Sequence, residues 1–246
     1  MFILAPILAY LTILYTPGWA GMCSDEDGMS DEVRRAFVNK HNEYRSLVAK
    51  GEARNGKIGG FAPKAARMFK VSYDCDIEKS MMAWAKKCIG GYSPWKDRIE
   101  LGENIWMISL PDYDKVAAAI NATTSWFKEL ERIGVPVDNV FTNDVFNSGV
   151  TDYTQVVWQR SDRIGCAVKS CSNSSVMMTF IGCQYKESGN WINEKIYETG
   201  CSPCTNDTDC HCDNCKCNAT EALCIRPDST PMPGHRNGHI MVQQLK

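Results

Sequence analysis

Thirteen cysteines and four histidines are the residues of this 246-residue chain that could bind a metal or supply a nucleophile or its base. Seven of the cysteines lie in one segment, CSPCTNDTDCHCDNCKCNATEALC, which begins at Cys201 and contains His211. Such CxxC and CxC spacings are compatible with a thiolate metal site and with disulfide bonds. The compartment decides between them, because an oxidising compartment converts paired thiols to disulfides.

The histidines limit the chemistry available in the rest of the chain. They are His41, His211, His235 and His239, and three of them lie in or after the cysteine-rich segment. Two or three imidazoles for a zinc site are therefore lacking before that segment. A serine or cysteine hydrolase needs a base beside its nucleophile, and His41 lies in a helical pattern that is typical of a core residue. The chain has no G-x-S-x-G, HExxH or glycine-rich phosphate motif, so we expect no enzymatic activity.

The N-terminal sequence predicts secretion. Residues 2–15 form an uncharged apolar run that is shorter than the roughly 20 residues of a membrane-spanning helix. Gly18 and Ala20 lie two apart, as a signal peptidase requires, so residues 1–20 are predicted to be a signal peptide; the alternative is an uncleaved anchor. No later segment is apolar enough to be transmembrane, and the mature protein is expected to be soluble and extracellular. In that compartment the cysteine-rich segment is expected to form disulfides.

Composition and sequons agree with this expectation. The net charge is -2 and the sequence pI is near 6.1, so the chain lacks the basic excess of a nucleic-acid-binding protein. Four N-x-[ST] sequons predict N-glycosylation, at Asn121, Asn173, Asn206 and Asn218.

Three helices are predicted in the first half of the chain. Ser30 is the expected N-cap of a helix that ends at Gly51. Apolar residues at helical spacing predict two more helices, over 76–89 and 114–133. Asn121 lies opposite the apolar stripe of the third helix, so a glycan there would face solvent.

Short strands follow the helices. β-rich runs predict strands over 154–158, 164–169 and 176–185, and a turn-rich stretch between the last two predicts a hairpin. Helices followed by antiparallel strands indicate an α+β fold. Residues 201–224 contain too few apolar residues to form a core without disulfides, and residues 225–246 are expected to be disordered.

Four motifs resemble those of the CAP superfamily, which groups cysteine-rich secretory proteins, insect venom antigen five and plant pathogenesis-related proteins. HNEYR at His41 is similar to the family's HNxxR motif, and LGENI at Leu101 resembles its GEN segment. YTQVVW at Tyr153, followed by IGC at Ile164, resembles the first family signature, and FIGCQY at Phe180 resembles the second. The chain is most similar to the activation-associated secreted, or venom allergen-like, proteins of parasitic nematodes.

The resemblance implies a fold and a domain organisation. Residues 21–200 would form a CAP domain, a three-layer α-β-α sandwich with an antiparallel central sheet. Residues 201–224 resemble the disulfide-rich hinge of animal members, and residues 225–246 would form the tail.

The resemblance also implies a central cleft. Family members typically hold two histidines and two glutamates there, and some bind zinc or another divalent cation. The matching glutamates are Glu103 and Glu129, whereas Tyr92 and Asp152 stand at the two histidine positions. We therefore expect no zinc and no cofactor. The carboxylates could still hold Ca²⁺ or Mg²⁺ through oxygen; in the alternative, Glu103 and Glu129 make structural hydrogen bonds.

Three functions remain open. The first is a secreted, non-enzymatic glycoprotein that engages host immune components or receptors. The second is an extracellular sterol or fatty-acid carrier, because some family members bind sterols through the loop before the first signature. Here that loop is 134–149, and Phe141 and Phe146 are its candidate lipid contacts unless they pin the loop to the core. The third is a hydrolase that uses the cleft carboxylates, as glycosidases do.

The cysteine count predicts one thiol without an intramolecular partner. Three bridges could form outside the hinge, among Cys23, Cys75, Cys88, Cys166, Cys171 and Cys183. The hinge holds an odd number, namely Cys201, Cys204, Cys210, Cys212, Cys215, Cys217 and Cys224. The leftover thiol is expected in the hinge or at Cys23, free or in an intermolecular disulfide that would make a homodimer.

Overall fold

The computed structural model describes residues 22–24, 26–172, 177–200 and 204–227. Its helices are α1 Asp31–Lys50, α2 Cys75–Ala85, α3 Lys115–Phe127, α4 Glu129–Arg132, α5 Asn143–Asn147 and α6 Thr151–Val156. Its strands are β1 Arg54–Asn55, β2 Gly60–Phe61, β3 Ser72–Tyr73, β4 Gly102–Ile108, β5 Val140–Phe141, β6 Arg163–Ser172, β7 Met177–Lys186, β8 Glu194–Lys195, β9 Lys216–Asn218 and β10 Leu223–Ile225. The predicted signal peptide and most of the predicted tail lie outside the described residues.

Helix α1 begins and ends where the sequence predicts. The Ser30 hydroxyl accepts a hydrogen bond from the Val33 N–H at 3.4 Å, which caps the first turn. Gly51 ends the helix in the left-handed conformation, with φ 71°, and its N–H donates to the carbonyls of Leu47 and Val48.

Helix α2 is shorter than predicted. The predicted end was residue 89, whereas α2 ends at Ala85. Cys88 has a φ of 52°, a left-handed conformation that cannot continue an α-helix, and it forms a disulfide with Cys171.

The third predicted helix is divided in two. The Asp114 carboxylate accepts from the Ala117 N–H at 2.7 Å and caps α3. This helix ends at Phe127, and after Lys128 the chain continues as α4. The break places Glu129 in the first turn of a new helix.

The main sheet has four strands in the order β3-β6-β7-β4. The predicted hairpin is β6 and β7, which pair antiparallel from Arg163↔Lys186 to Ser172↔Met177, and β4 pairs antiparallel with β7. The central sheet is antiparallel as expected, except at one edge, where β3 pairs parallel with β6. No tight turn connects β3 to β6, so nothing in the chain path requires them to be antiparallel.

Helices cover both faces of this sheet. On one face, a Cβ at Gly165 or Gly182 would collide with Ile77 or Met81 of α2, so the glycines allow close helix–sheet packing. On the other face, Tyr185 hydrogen-bonds His41 of α1. The indole of Trp126 in α3 donates to the Ile105 carbonyl of β4 at 3.1 Å. The chain therefore has the three-layer α-β-α sandwich that the resemblance implies.

One predicted strand is wrong. Residues 154–158 were expected to form a strand, but Thr151–Val156 is helix α6. Tyr153, Val156 and Trp158 are at most 1% exposed, and a short apolar run that is buried on all sides has no periodicity to distinguish strand from helix. Conversely, β4 was matched to a motif but not predicted as a strand.

Six disulfides join the described cysteines: Cys23–Cys75, Cys88–Cys171, Cys166–Cys183, Cys204–Cys217, Cys210–Cys224 and Cys212–Cys215. The expectation that Cys23 could be the unpaired thiol is wrong, since the N-terminal segment brings it against α2 at Cys75. Cys201 lies outside the described residues.

The cysteine-rich segment packs against the α-β-α sandwich. The Cys224 N–H donates to the Met68 carbonyl at 2.8 Å, and the Lys70 N–H donates to the Cys224 carbonyl at 2.7 Å. Phe69, between them, is buried among Cys204, Cys210, Cys215 and Cys224. The two parts share this small core.

Candidate functional site

Three elements and one loop supply the positions of the central cleft. Tyr92 lies in the segment between α2 and β4, Glu103 in β4, Glu129 at the start of α4 and Asp152 in α6. Glu103 and Glu129 are buried, whereas Tyr92 and Asp152 are half-buried.

Glu103 is enclosed by hydrogen-bond donors. Its carboxylate accepts from the Ser93 N–H at 2.7 Å, from the Ser93 hydroxyl at 2.6 Å and from the Gln184 amide at 2.7 Å. The Nε of Arg98 lies 3.8 Å from the same carboxylate, and both side chains are fully buried. These contacts satisfy and neutralise the charge of Glu103 inside the protein.

Glu103 and Asn104 point to opposite faces of β4. Glu103 is the cross-strand partner of Gln184, so the two side chains share a face of the sheet. Asn104, the next residue, points to the other face, where its amide donates to the Asp152 carbonyl at 2.9 Å. The backbone carbonyl of Asp152 therefore lies on the Asn104 face of the strand, while the charges of Asp152, Glu129 and Glu103 all act on the Tyr92 side chain.

Glu129 holds the start of α6. Its Oε2 accepts from the N–H groups of Asp152 at 2.9 Å and Tyr153 at 3.0 Å. The Tyr92 hydroxyl lies 3.4 Å from Oδ1 of Asp152. Glu129, Asp152 and Tyr92 thus form one small polar group.

Burial sets the protonation of this group. Desolvation raises the pKa of Glu129 to about 7 and the charge of Asp152 raises it too, against the two backbone hydrogen bonds. Desolvation and then the charge of Asp152 raise the pKa of Tyr92, so its hydroxyl stays protonated and can donate.

His41 belongs to the core rather than to the cleft. The Phe37 carbonyl lies 2.8 Å from its Nδ1, and because a carbonyl only accepts, Nδ1 carries the proton. Nε2 then accepts from the Tyr185 hydroxyl at 2.9 Å. Desolvation lowers the pKa of His41 to about 4. Both ring nitrogens are used, so His41 is not available as a base or a metal ligand.

The residues of the cleft do not fit a zinc ion. Tyr92 and Asp152 replace the imidazoles, and His41 is bonded elsewhere. In the described part of the chain, the cluster of three potential ligands within 4.8 Å of one another is Cys204, Cys210 and Cys224. All three cysteines are in disulfides and offer no thiolate. The cleft carboxylates do not form such a cluster.

The candidate lipid contacts attach the loop to the domain. Phe141 is fully buried, with its ring 6.2 Å from that of Trp158 in an edge-to-face arrangement. Val145 is 4% exposed, and Phe146 is half-buried against the core. A lipid at this loop would have to displace these side chains.

Three of the four sequons lie in the described residues. Asn121 and Asn206 are exposed, whereas Asn218 is half-buried and its amide donates to Glu221 at 2.7 Å. Asn173 lies outside the described residues. Glycosylation at all four stays a prediction.

Three residues of the site were missed by sequence reasoning. Ser93, Arg98 and Gln184 surround Glu103, and Gln184 lies in the FIGCQY motif, which could have drawn attention to it. For Ser93 and Arg98 the sequence carries no comparable signal, because their role depends on how one loop folds over β4.

The three-layer α-β-α sandwich is that of a CAP domain, and comparison with known proteins agrees. Residues 38–185 match the family described as CAP: Cysteine-rich secretory protein family. The chain belongs to this family.

Two individual members of the family are similar to this chain over most of its length. Ancylostoma secreted protein of Ancylostoma caninum is 39% identical over 210 residues, which cover 83% of this chain and 47% of the relative. Human cysteine-rich secretory protein 3 is 33% identical over 191 residues, covering 76% of this chain and 68% of the relative. This chain thus spans about half the length of the Ancylostoma protein.

A solved structure described as NaASP2 with Zn²⁺ is also similar. It is 43% identical, with a TM-score of 0.73, and the match covers 81% of this chain and 98% of that one. The zinc ion in that description belongs to that protein.

Proposed function

We propose that the protein acts outside the cell as a non-enzymatic binding protein that engages host immune components or another host extracellular protein or receptor. The observation that carries the proposal is that the Glu103 carboxylate is fully used in internal contacts: it accepts three hydrogen bonds and lies beside Arg98. A carboxylate held in this way is a structural group rather than a general base facing a substrate.

The rest of the molecule supports an extracellular role. Six disulfides are typical of proteins that work in an oxidising environment. The relatives include proteins named as secreted or secretory. Within the described residues, no helix has the length and apolar character needed to cross a bilayer.

Affinity capture from host plasma and leukocyte membranes tests the proposal. The mature, glycosylated protein would be immobilised beside an unrelated glycoprotein of similar size, and both eluates analysed by quantitative mass spectrometry. We expect at least one host protein to be enriched and then to bind saturably in a purified system. Equal recoveries on the two surfaces would overturn the proposal.

The hydrolase alternative has its own test. A panel of ester, peptide and glycoside substrates would be assayed with the parent protein and with Glu103→Ala. We expect the parent protein to show no turnover above background. Turnover that Glu103→Ala abolishes would establish an enzyme instead.

A further inference from the structure

The β1–β2 hairpin presents apolar side chains to solvent. Phe61 is 54% exposed and Ile58 is 39% exposed. Val137, in the loop that packs against this hairpin, is 67% exposed. Three large apolar side chains are therefore partly exposed to solvent on one part of the surface.

The base of the hairpin is firmly attached to the domain. Asn55 is 1% exposed, and its amide donates to the Val135 carbonyl at 2.9 Å. Its carbonyl oxygen accepts from the N–H groups of Val135 at 3.1 Å and Lys57 at 3.2 Å. Gly56 donates to the Leu130 carbonyl at 2.9 Å, and a Cβ there would lie 2.1 Å from the Glu131 carbonyl. These contacts also bring the segment that leads to Val137 beside the hairpin.

The same region is positively charged. The segment 50–64 carries four basic residues against the single acidic Glu52, although the whole chain has a net charge of -2. Arg54, Lys57 and Lys64 are exposed. The guanidinium of Arg54 lies 5.6 Å from the ring centroid of Phe61, so cationic and apolar groups are interleaved.

Acidic neighbours do not cancel this charge. On the adjoining α4 and loop, the exposed Arg132 stands against the exposed Glu131 and Asp138. The combined surface keeps an excess of basic side chains.

We propose that this hairpin surface, formed by Arg54, Lys57, Ile58, Phe61 and Val137, docks the protein on a bilayer that contains anionic phospholipid. The apolar side chains enter the interface between headgroups and acyl chains, and the basic side chains pair with lipid phosphates and carboxylates. Ile58 and Phe61 favour a bilayer over a sulfated polysaccharide, because a hydrophilic polyanion would not bury them. The surface includes none of the cleft residues and does not depend on the proposed partner protein.

Vesicle flotation tests the proposal with the mature protein. Vesicles of phosphatidylcholine alone would be compared with vesicles in which about one third of the lipid is phosphatidylserine. We expect co-flotation with the anionic vesicles only. Raising NaCl from ~0.1 M to ~1 M shortens the Debye length from about 10 Å to about 3 Å and should release most of the protein.

Substitutions distinguish the electrostatic from the hydrophobic contribution to vesicle binding. Lys57→Glu and Phe61→Ser should each weaken vesicle binding roughly tenfold. Matched controls elsewhere on the surface are Lys79→Glu, whose parent side chain is 69% exposed, and Ile99→Ser, whose parent residue is 66% exposed. Both controls should bind like the parent, and all four variants should keep its thermal unfolding midpoint.

Four results would overturn the proposal. They are no flotation with either vesicle, equal flotation with both, equal losses in the hairpin and control variants, and binding to heparin without binding to vesicles. The last result would identify a polyanion site instead. Host-protein capture can succeed or fail independently of each of these results.

Discussion

Glu129 and His41 are buried titratable side chains whose contributions to stability change with pH in opposite directions. The folded-state pKa of His41 is about 4, below its ordinary 6.5, so the stability it contributes is present above pH 6.5 and is lost as the pH falls toward 4. The folded-state pKa of Glu129 is about 7, above its ordinary 4.5. Its contribution is present below pH 4.5 and is lost as the pH rises toward 7. Between pH 4.5 and 6.5 the two effects oppose each other.

Glu129→Gln should remove the Glu129 contribution to the pH dependence of stability and leave that of His41. Glutamine keeps a carbonyl oxygen for the N–H groups of Asp152 and Tyr153, but it carries no charge to desolvate. We expect the free energy of unfolding of the variant to exceed that of the parent by about 1–3 kcal/mol near pH 7.5. Between pH 4.5 and 6.5 the variant's free energy should rise with pH, because the His41 effect is no longer opposed.

Urea denaturation across pH 4.5 to 8 measures both effects. Glu131→Gln, an exposed change in the same helix, is the control and should follow the parent. Parallel curves for Glu129→Gln and the parent would show that Glu129 does not titrate as its burial requires.

One ion pair connects three structural elements. Arg34 of α1 makes two parallel bonds to Glu78 of α2, with Nε–Oε2 and Nη2–Oε1 distances of 2.8 Å. The Tyr73 hydroxyl of β3 also donates to Glu78. The two helices lie on opposite faces of the sheet, so this group joins the outer layers around the β3 edge.

Arg34→Ala should therefore destabilise the fold strongly. It leaves the Glu78 carboxylate buried without its counter-charge, and we expect a loss of about 3–5 kcal/mol in the free energy of unfolding. Arg35→Ala is the control, because its parent side chain is 59% exposed and lies 3.9 Å from Asp31. That change should cost less than about 1 kcal/mol. A loss for Arg34→Ala within the range of the control would mean that the pair is not buried in solution.

The elements differ in how well the sequence predicts them. The ends of α1 follow from Ser30 and Gly51, whose side chain and backbone freedom act within a few residues. The helical conformation of α6 does not follow from the sequence, because five of its six residues are buried and no amphipathic pattern distinguishes a helix from a strand. The hydrogen-bond partners of Glu103 cannot be predicted from the sequence for another reason. Gln184 is 81 residues away in the chain, and its contact with Glu103 depends on the register of the strands. The cleft positions were found through motif resemblance, but their hydrogen-bond partners could be identified only from the paired sheet.

At the scale of the whole molecule, noncovalent contacts as well as the backbone connect the cysteine-rich segment to the CAP domain. Arg226, two residues beyond the cysteine-rich segment, lies 3.3 Å from Asp162 of the domain and 4.2 Å from the ring centroid of Phe69. The Ser46 hydroxyl of α1 donates to the Glu221 carbonyl at 2.6 Å. These contacts hold the cysteine-rich segment in a defined position on the domain.

Thiol mapping should find one reactive cysteine. Twelve of the thirteen cysteines form the six disulfides, which leaves Cys201. We expect alkylation of the unreduced, denatured protein to label Cys201 alone, or to find it in an intermolecular disulfide that reduction cleaves. Peptide mapping by mass spectrometry makes the assignment. Label on any cysteine of the six disulfides, above the level in a fully oxidised control protein, would contradict this pairing.

The Cys88–Cys171 disulfide has a consequence for proteolysis. It spans the loop 134–149, whose exposed residues include Val137, Asn143 and Asn147. Arg45, before this loop, also donates hydrogen bonds to the carbonyls of Val156, Trp158, Gln159 and Ser161 after it. A protease that cut the loop once would leave two fragments still covalently attached and still folded together. Such a nick would be visible only after reduction, and the nicked molecule would keep its folded surface.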